Sequence, residues 1–144
     1  MSGKDFLDAF NQGTDRIPTF LRDMTLGMDI IGCRTTDIFG PSFDAELSSK
    51  SIVAFQRFTE QDAVIDSTHS AAFIIEQFGG TMRYPEYGIP VPVTHPLDGM
   101  TDFSECDVTP KGKLVSAIES YGLVRSSLPD IAIVGNLTGP FTKA

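Results

Sequence analysis

Asp130-Ile131-Ala132-Ile133-Val134-Gly135-Asn136-Leu137-Thr138-Gly139-Pro140-Phe141 is the stretch whose reading decides the fold. Ile131 to Val134 run without a polar break, the pattern of a strand buried on both faces, as in a parallel sheet. Gly135 permits close backbone approach, Asn136 offers a donor and an acceptor, and Gly139-Pro140 turns the chain. Polar, glycine-rich exits from parallel strands are where α/β folds place their sites. The sequence ends shortly after Phe141, and an open parallel edge invites further pairing. The expectation is therefore the front part of a larger fold.

Working back from that strand, Thr109-Pro110 is a cap and first-position pair for a helix reaching about Ser126, with Leu114, Ile118, Tyr121 and Leu128 facing inward. Thr81 to Val93 alternates in polarity but carries Pro85, Pro90 and Pro92, so it reads as an extended arm or irregular hairpin. Thr68 or Ser70 caps a helix over 71–78 that ends at Gly79-Gly80. Before it, Gln61 to Asp66 reads as a short strand with Ala63 to Ile65 buried, leaving through Asp66-Ser67-Thr68-His69. His69 titrates near neutrality and is either a general base or substrate hydrogen-bonder, or a satisfied member of a capping cluster.

Nearer the start, Ser42 caps a helix from Phe43 to about Phe58, with Asp44 and Glu46 in its first turn and Leu47, Ala54, Phe55 and Phe58 close to one face. Met28 to Phe39 is ambiguous, interrupted by Gly32. Arg16 to Leu21 reads as a first strand, with Pro18 tolerated near its beginning. Its exit carries Arg22 and Asp23, either a solvated loop or site residues. Lys4 to Asn11 forms a leading helix with Phe6, Leu7 and Phe10 on one face and Gly13 as its stop.

Strands alternating with helices give an α/β class with parallel crossovers and about three strands. A chain of 144 residues has room for one modest domain. A net charge of −8 with scattered Lys and Arg argues against nucleic acid and anionic membranes. No apolar run approaches the ~20 residues of a membrane helix, and no apolar signal core follows Met1, so the cytoplasm is the expected compartment. Cys33, Cys106, His69 and His95 include no pair at short ligand spacing, so no zinc site is expected within the chain. There is no GxGxxG and no Walker loop.

Phe6-Leu7-Asp8-Ala9-Phe10 through Asp15-Arg16-Ile17-Pro18, the Phe78-Gly79-Gly80 ending before the arm, and Val134-Gly135-Asn136-Leu137-Thr138-Gly139-Pro140-Phe141-Thr142 resemble the uroporphyrinogen decarboxylase superfamily. Within it, the better match is the branch of cobalamin-dependent methyltransferases that act with corrinoid proteins. The resemblance spans the chain in matching order. It implies the N-terminal part of a (β/α)8 TIM barrel, residues 1–144 forming one partial domain, since a complete barrel takes about 250 residues. It further implies cobalamin on a partner corrinoid protein and a small methyl donor or acceptor. The zinc of such enzymes is held by a His-x-Cys pair and a later Cys that this chain lacks.

The decarboxylase branch uses arginines after the first strand and an aspartate after the second. Arg22 falls near one such arginine, while the aspartate's place falls at or beside His69, with Asp66 displaced toward the strand. Thr25-Leu26-Gly27-Met28 stands where decarboxylases carry Gly-Arg-Tyr, which favours the methyltransferase branch. The expected mouth-lining residues are Arg22, Asp23, Asp66, His69 and Asn136, binding substrate or cobalamin without a bond-making role. Two rivals remain. One is a tetrapyrrole decarboxylase with Arg22 as carboxylate clamp. The other is a non-catalytic fragment or split subunit that self-associates or captures a complementary C-terminal half.

Overall fold

The crossover helices and two parallel strands set the frame. The computed structural model describes residues 3–13, 15–22, 25–65, 70–102, 104 and 106–135. In chain order the elements are α1 (Gly3–Asn11), α2 (Leu26–Ile31), α3 (Thr35–Ile38), α4 (Ala45–Thr59), β1 (Ala63–Ile65), α5 (Ser70–Gln77), β2 (Met82–Arg83), β3 (Val91–Pro92), α6 (Lys113–Ser127) and β4 (Ala132–Val134). No described helix is long and apolar enough to cross a membrane.

β1 and β4 pair in parallel, with Ala63 opposite Ala132, Val64 opposite Ile133 and Ile65 opposite Val134. Successive strand residues face opposite sides, and the packing follows that rule. Val64 lies against Ile52 and Val53 of α4, Val124 of α6 and Leu128 just after it. Ala63 and Ala132 instead meet Phe6 of α1 on the other face. The result is α1, then the sheet, then α4 and α6.

α4 packs against both α2 and α6, and small residues are among those buried there: Ser48, Ser49 and Ser51 on α4, and Ala117 and Ser120 on α6. Ser51 and Ser120 turn their hydroxyls back onto their own helices, to the carbonyls of Ser48 and Ala117. Phe55 is buried, but Phe58 is left 69% exposed. On α6, Ile118 is likewise exposed, and Ala117, Ser120 and Val124 form the inner face.

Two helix starts differ from expectation. Asp44, not Ser42, caps α4, its carboxylate accepting from the Leu47 amide. α6 begins at Lys113 rather than beside Pro110, because Gly112 takes a φ of 53° just before it. The ambiguous region resolves into α2 and α3, with Gly32 ending α2 in the left-handed conformation.

The expected first strand is not laddered, so the parallel sheet has two strands among the described residues, not three. Residues 16–21 are extended, but side chains satisfy the amides a neighbouring strand would use. Thr19 N–H donates to the Asp62 carboxylate at 2.7 Å, and Leu21 N–H to Gln61 Oε1 at 2.8 Å. A single backbone bond, Asp62 N–H to Thr19 O, crosses between the segments. Arg16 closes the bracket, its Nη2 3.0 Å from both Asp62 oxygens.

Candidate functional site at the strand exits

β1 and β4 end in register at Ile65 and Val134, so their exits leave one end of the sheet side by side. Asp66 directly follows Ile65 and Asn136 is the second residue after Val134, yet Asp23, Asp66, His69 and Asn136 lie outside the described residues. Arg22 is described and exposed, one residue beyond the Leu21 amide held by Gln61. Its guanidinium makes no ion pair among the described residues. The structure therefore places Arg22 alone of the expected set. Beside Gly135 the space is open, with no described atom within 4 Å of where a Cβ would stand, so the close approach expected there is not seen among the described residues.

Each crossover helix is preceded by an insertion. α4 and α6 run back along the strands they feed, so their first turns lie toward the exit end. There α2, α3, α5 and the arm join Ala45, Leu47, Leu114 and Ala117 in a separate aromatic core. Phe39, Phe43 and Phe73 form its centre, with ring centroids 5.1–6.0 Å apart. Each buried Phe stabilises by roughly 1.5–3 kcal/mol, so this layer is a packed platform beside the exits.

Polar contacts fasten the arm to that platform. The expected irregular hairpin is present as β2 paired antiparallel with β3. Thr35 holds its tip twice, donating N–H to Glu86 O at 2.9 Å and its hydroxyl to Gly88 O at 2.8 Å. Arg34 bridges Asp37 and Glu86 at 3.1 and 3.3 Å. These bonds to Arg34 hold the Asp37 carboxyl below its ordinary pKa.

At the hairpin's other side, Lys113 Nζ lies 2.9 Å from Glu76, 3.3 Å from the Tyr84 hydroxyl and 4.6 Å from the Tyr84 ring centroid. Burial, then the nearby Glu76 carboxylate, pushes the Tyr84 phenol well above its usual range. Sequence reasoning did not single out Lys113, Glu76 and Tyr84. Their wide separation in the chain left no local signal; the Arg34–Asp37 pair, at a spacing of three, was not singled out either, though that spacing is a local signal.

A small cavity of about 180 Å³ opens in this layer, lined by Thr25, Met28, Asp29, Cys33, Thr35, Tyr87 and Gly88. Burial, then the Asp37 charge, raises the Cys33 thiol pKa, so Cys33 rests as the thiol and is no activated nucleophile. A larger groove of about 500 Å³ lies along Ile131, Ala132 and Ile133, at the entry end of β4. Size alone would favour the groove. The smaller cavity is the better candidate, because Met28 and Cys33 tie it to the aromatic layer at the first turns of α4 and α6, toward the strand ends where parallel sheets place their chemistry. Among the described residues, no three His, Cys, Asp or Glu are placed to hold a metal ion, so the residues on view do not fit a zinc site.

No protein-family model matches the chain, and no curated protein matches it significantly. Its fold is similar to that of a methyltransferase from Methanosarcina mazei. The TM-score is 0.75 at 22% sequence identity, over 99% of this chain. The likeness establishes a shared α/β fold. The chain spans 44% of the length of that methyltransferase chain.

Proposed function

We propose that this chain is the N-terminal portion of a uroporphyrinogen decarboxylase-like (β/α)8 barrel, part of a corrinoid-dependent methyltransferase. The observation carrying this reading is the fold likeness to a methyltransferase over 99% of the chain. It is supported by two parallel strands that end in register at Ile65 and Val134. The cytoplasm is the proposed compartment.

In this reading Arg22, Asp23, Asp66, His69 and Asn136 line the mouth above the strands. The Arg22 guanidinium supplies a fixed positive charge to an anionic group of the substrate or the corrinoid. Asp23, Asp66, His69 and Asn136 supply donors and acceptors that orient it. When bound, the corrinoid of a partner protein carries the methyl group to or from a small molecule. No step is assigned here to zinc, whose ligands lie outside this chain.

Calorimetric titration with methylcobalamin, and separately with a polycarboxylated porphyrin, tests the proposal. Methylcobalamin is expected to bind, and His69→Ala to weaken it about tenfold, the loss of one charge-assisted or buried hydrogen bond. Tighter binding of the porphyrin, lost in Arg22→Ala, would transfer the assignment to tetrapyrrole decarboxylation. Absence of binding by either would leave only a non-catalytic fragment.

A further inference from the structure

The cavity of about 180 Å³ between α2, α3 and the hairpin tip includes none of the described mouth residues. Met28 and Asp29 reach it from α2, Cys33 and Thr35 from the chain entering α3, and Tyr87 and Gly88 from the tip. The wall made by the tip is fixed in place. Thr35 donates its N–H to Glu86 O and its hydroxyl to Gly88 O, and Gly88 takes a φ of 101°, which favours glycine. Tyr87, 67% exposed, stands where the cavity meets water.

The charge balance here is negative. Arg34, between Cys33 and Thr35, is held by Asp37 and Glu86 at 3.1 and 3.3 Å. Asp29 makes no ion pair among the described residues. Three carboxylates therefore stand beside the cavity against one guanidinium, which two of them already share. Their field reaches the interior: burial first, then the charges of Asp37 and Asp29, raise the Cys33 thiol pKa. The rest of the lining is polarisable, with the Met28 thioether, the Cys33 thiol and the Tyr87 ring around the Asp29 carboxylate.

These features disfavour other ligand classes. An anion would meet the same carboxylates. A hard cation such as calcium takes about six to eight oxygen ligands, more than one carboxylate and a threonine supply. A purely apolar ligand would strip water from Asp29 and return nothing for it. An apolar cavity of about 150 Å³ holds a benzene-sized molecule, so this one suits a ligand of that size, below the drug-sized range. We infer that the cavity binds a small organic cation, an alkylated ammonium whose charge meets Asp29 and whose methyl groups lie against Met28 and the Tyr87 ring. The inference goes beyond the methyl-transfer reading and does not depend on it.

Tetramethylammonium chloride is the probe, titrated into the full chain while backbone amide shifts are followed by NMR. Sodium chloride at equal ionic strength controls for salt, and tert-butanol, close in shape but uncharged, controls for apolar filling. Saturable shifts are expected at Met28, Asp29, Cys33, Tyr87 and Gly88, half-complete at about 1–10 mM, within reach of a ligand of about five non-hydrogen atoms. tert-Butanol should need at least about fivefold more, the value of one charge pair near the surface. Asp29→Asn should weaken tetramethylammonium by a similar factor, and Tyr87→Leu by about two- to fivefold, the loss of an exposed cation–π contact. Both positions are exposed, so the fold is retained, and an unmoved Val64 amide reports it.

Absence of a saturable shift at these amides with tetramethylammonium overturns the inference. So does tert-butanol binding at equal strength, or tetramethylammonium binding that Asp29→Asn leaves unchanged in a folded protein. Methylcobalamin, titrated separately, tests the methyl-transfer reading alone, because the cavity shares no described residue with the mouth.

Discussion

Asp62→Asn is expected to cost about 2–4 kcal/mol of folding stability. The Asp62 side chain is only 1% exposed, and its carboxylate accepts from Arg16 Nη2, Thr19 N–H and Thr19 Oγ1 at 2.7 to 3.1 Å. A hydrogen bond to a charged group contributes about 1.5–3 kcal/mol net, and breaking a fully buried ion pair costs about 3–5 kcal/mol. Arg16 is 55% exposed and recovers water when its partner is neutralised, which removes part of the larger figure. Asn keeps an acceptor for Thr19 but turns an N–H toward Arg16, so the loss falls between a single bond and a fully buried pair.

Urea unfolding, with a slope of roughly 2 kcal/mol per molar, should show the midpoint falling by about 1–2 M. Arg16→Ala should cost about 1 kcal/mol, since it leaves both Thr19 bonds. A loss below about 1 kcal/mol for Asp62→Asn would refute the view that this bracket, and not a backbone ladder, holds residues 16–21.

The same group sets a pH dependence. Burial alone would raise the Asp62 pKa, but the bonds from Thr19 and the charge of Arg16 outweigh it and hold the carboxyl below its usual value. The folded pKa is thus depressed, so its stabilisation is complete above the unfolded value of about 3.9 and is lost as pH falls through the lower folded value. Thermal melts between neutrality and strong acid should show a fall below about pH 4 that is smaller in Asp62→Asn. Gly27→Ala should cost roughly 2–3 kcal/mol or prevent folding, because its Cβ would run into the Ser51 carbonyl on α4; chemical denaturation checks this. Phe73→Ala, removing a side chain 2% exposed, should cost about 3–5 kcal/mol, with amide exchange rising first in 82–92. Cys33 should alkylate several-fold more slowly than free cysteine at pH 8, as burial and Asp37 disfavour its thiolate; timed labelling with mass spectrometry reads this directly.

The parallel strands were legible because Ala63 to Ile65 and Ala132 to Val134 are short, unbroken apolar runs, and they pair as such strands should. The leading helix and the proline-broken hairpin were legible from spacing and punctuation. The first strand misled because an apolar run records burial and not hydrogen bonding. Here Asp62 and Gln61, some forty residues away, take the amides of Thr19 and Leu21.

The inner faces of α4 and α6 were read from large side chains, whereas the buried positions also include the small Ser48, Ser51, Ala117 and Ser120. Small residues carry little periodic hydrophobic signal, so Phe58 and Ile118 drew the faces wrongly. For the site, the sequence located the strand exits, and the structure sets Ile65 and Val134 side by side there. The platform was not legible, since Phe39, Phe43 and Phe73 come from three separate segments.

The most direct test of the central claim is an isotope-labelled titration that maps which backbone amides respond to methylcobalamin. The account predicts shifts at Arg22, Ile65, Val134 and Gly135, with 131–133 at the other end of β4 unchanged. Shifts confined to the groove around Leu7 and Ile131, or no saturable shift at Ile65 and Val134, would contradict it.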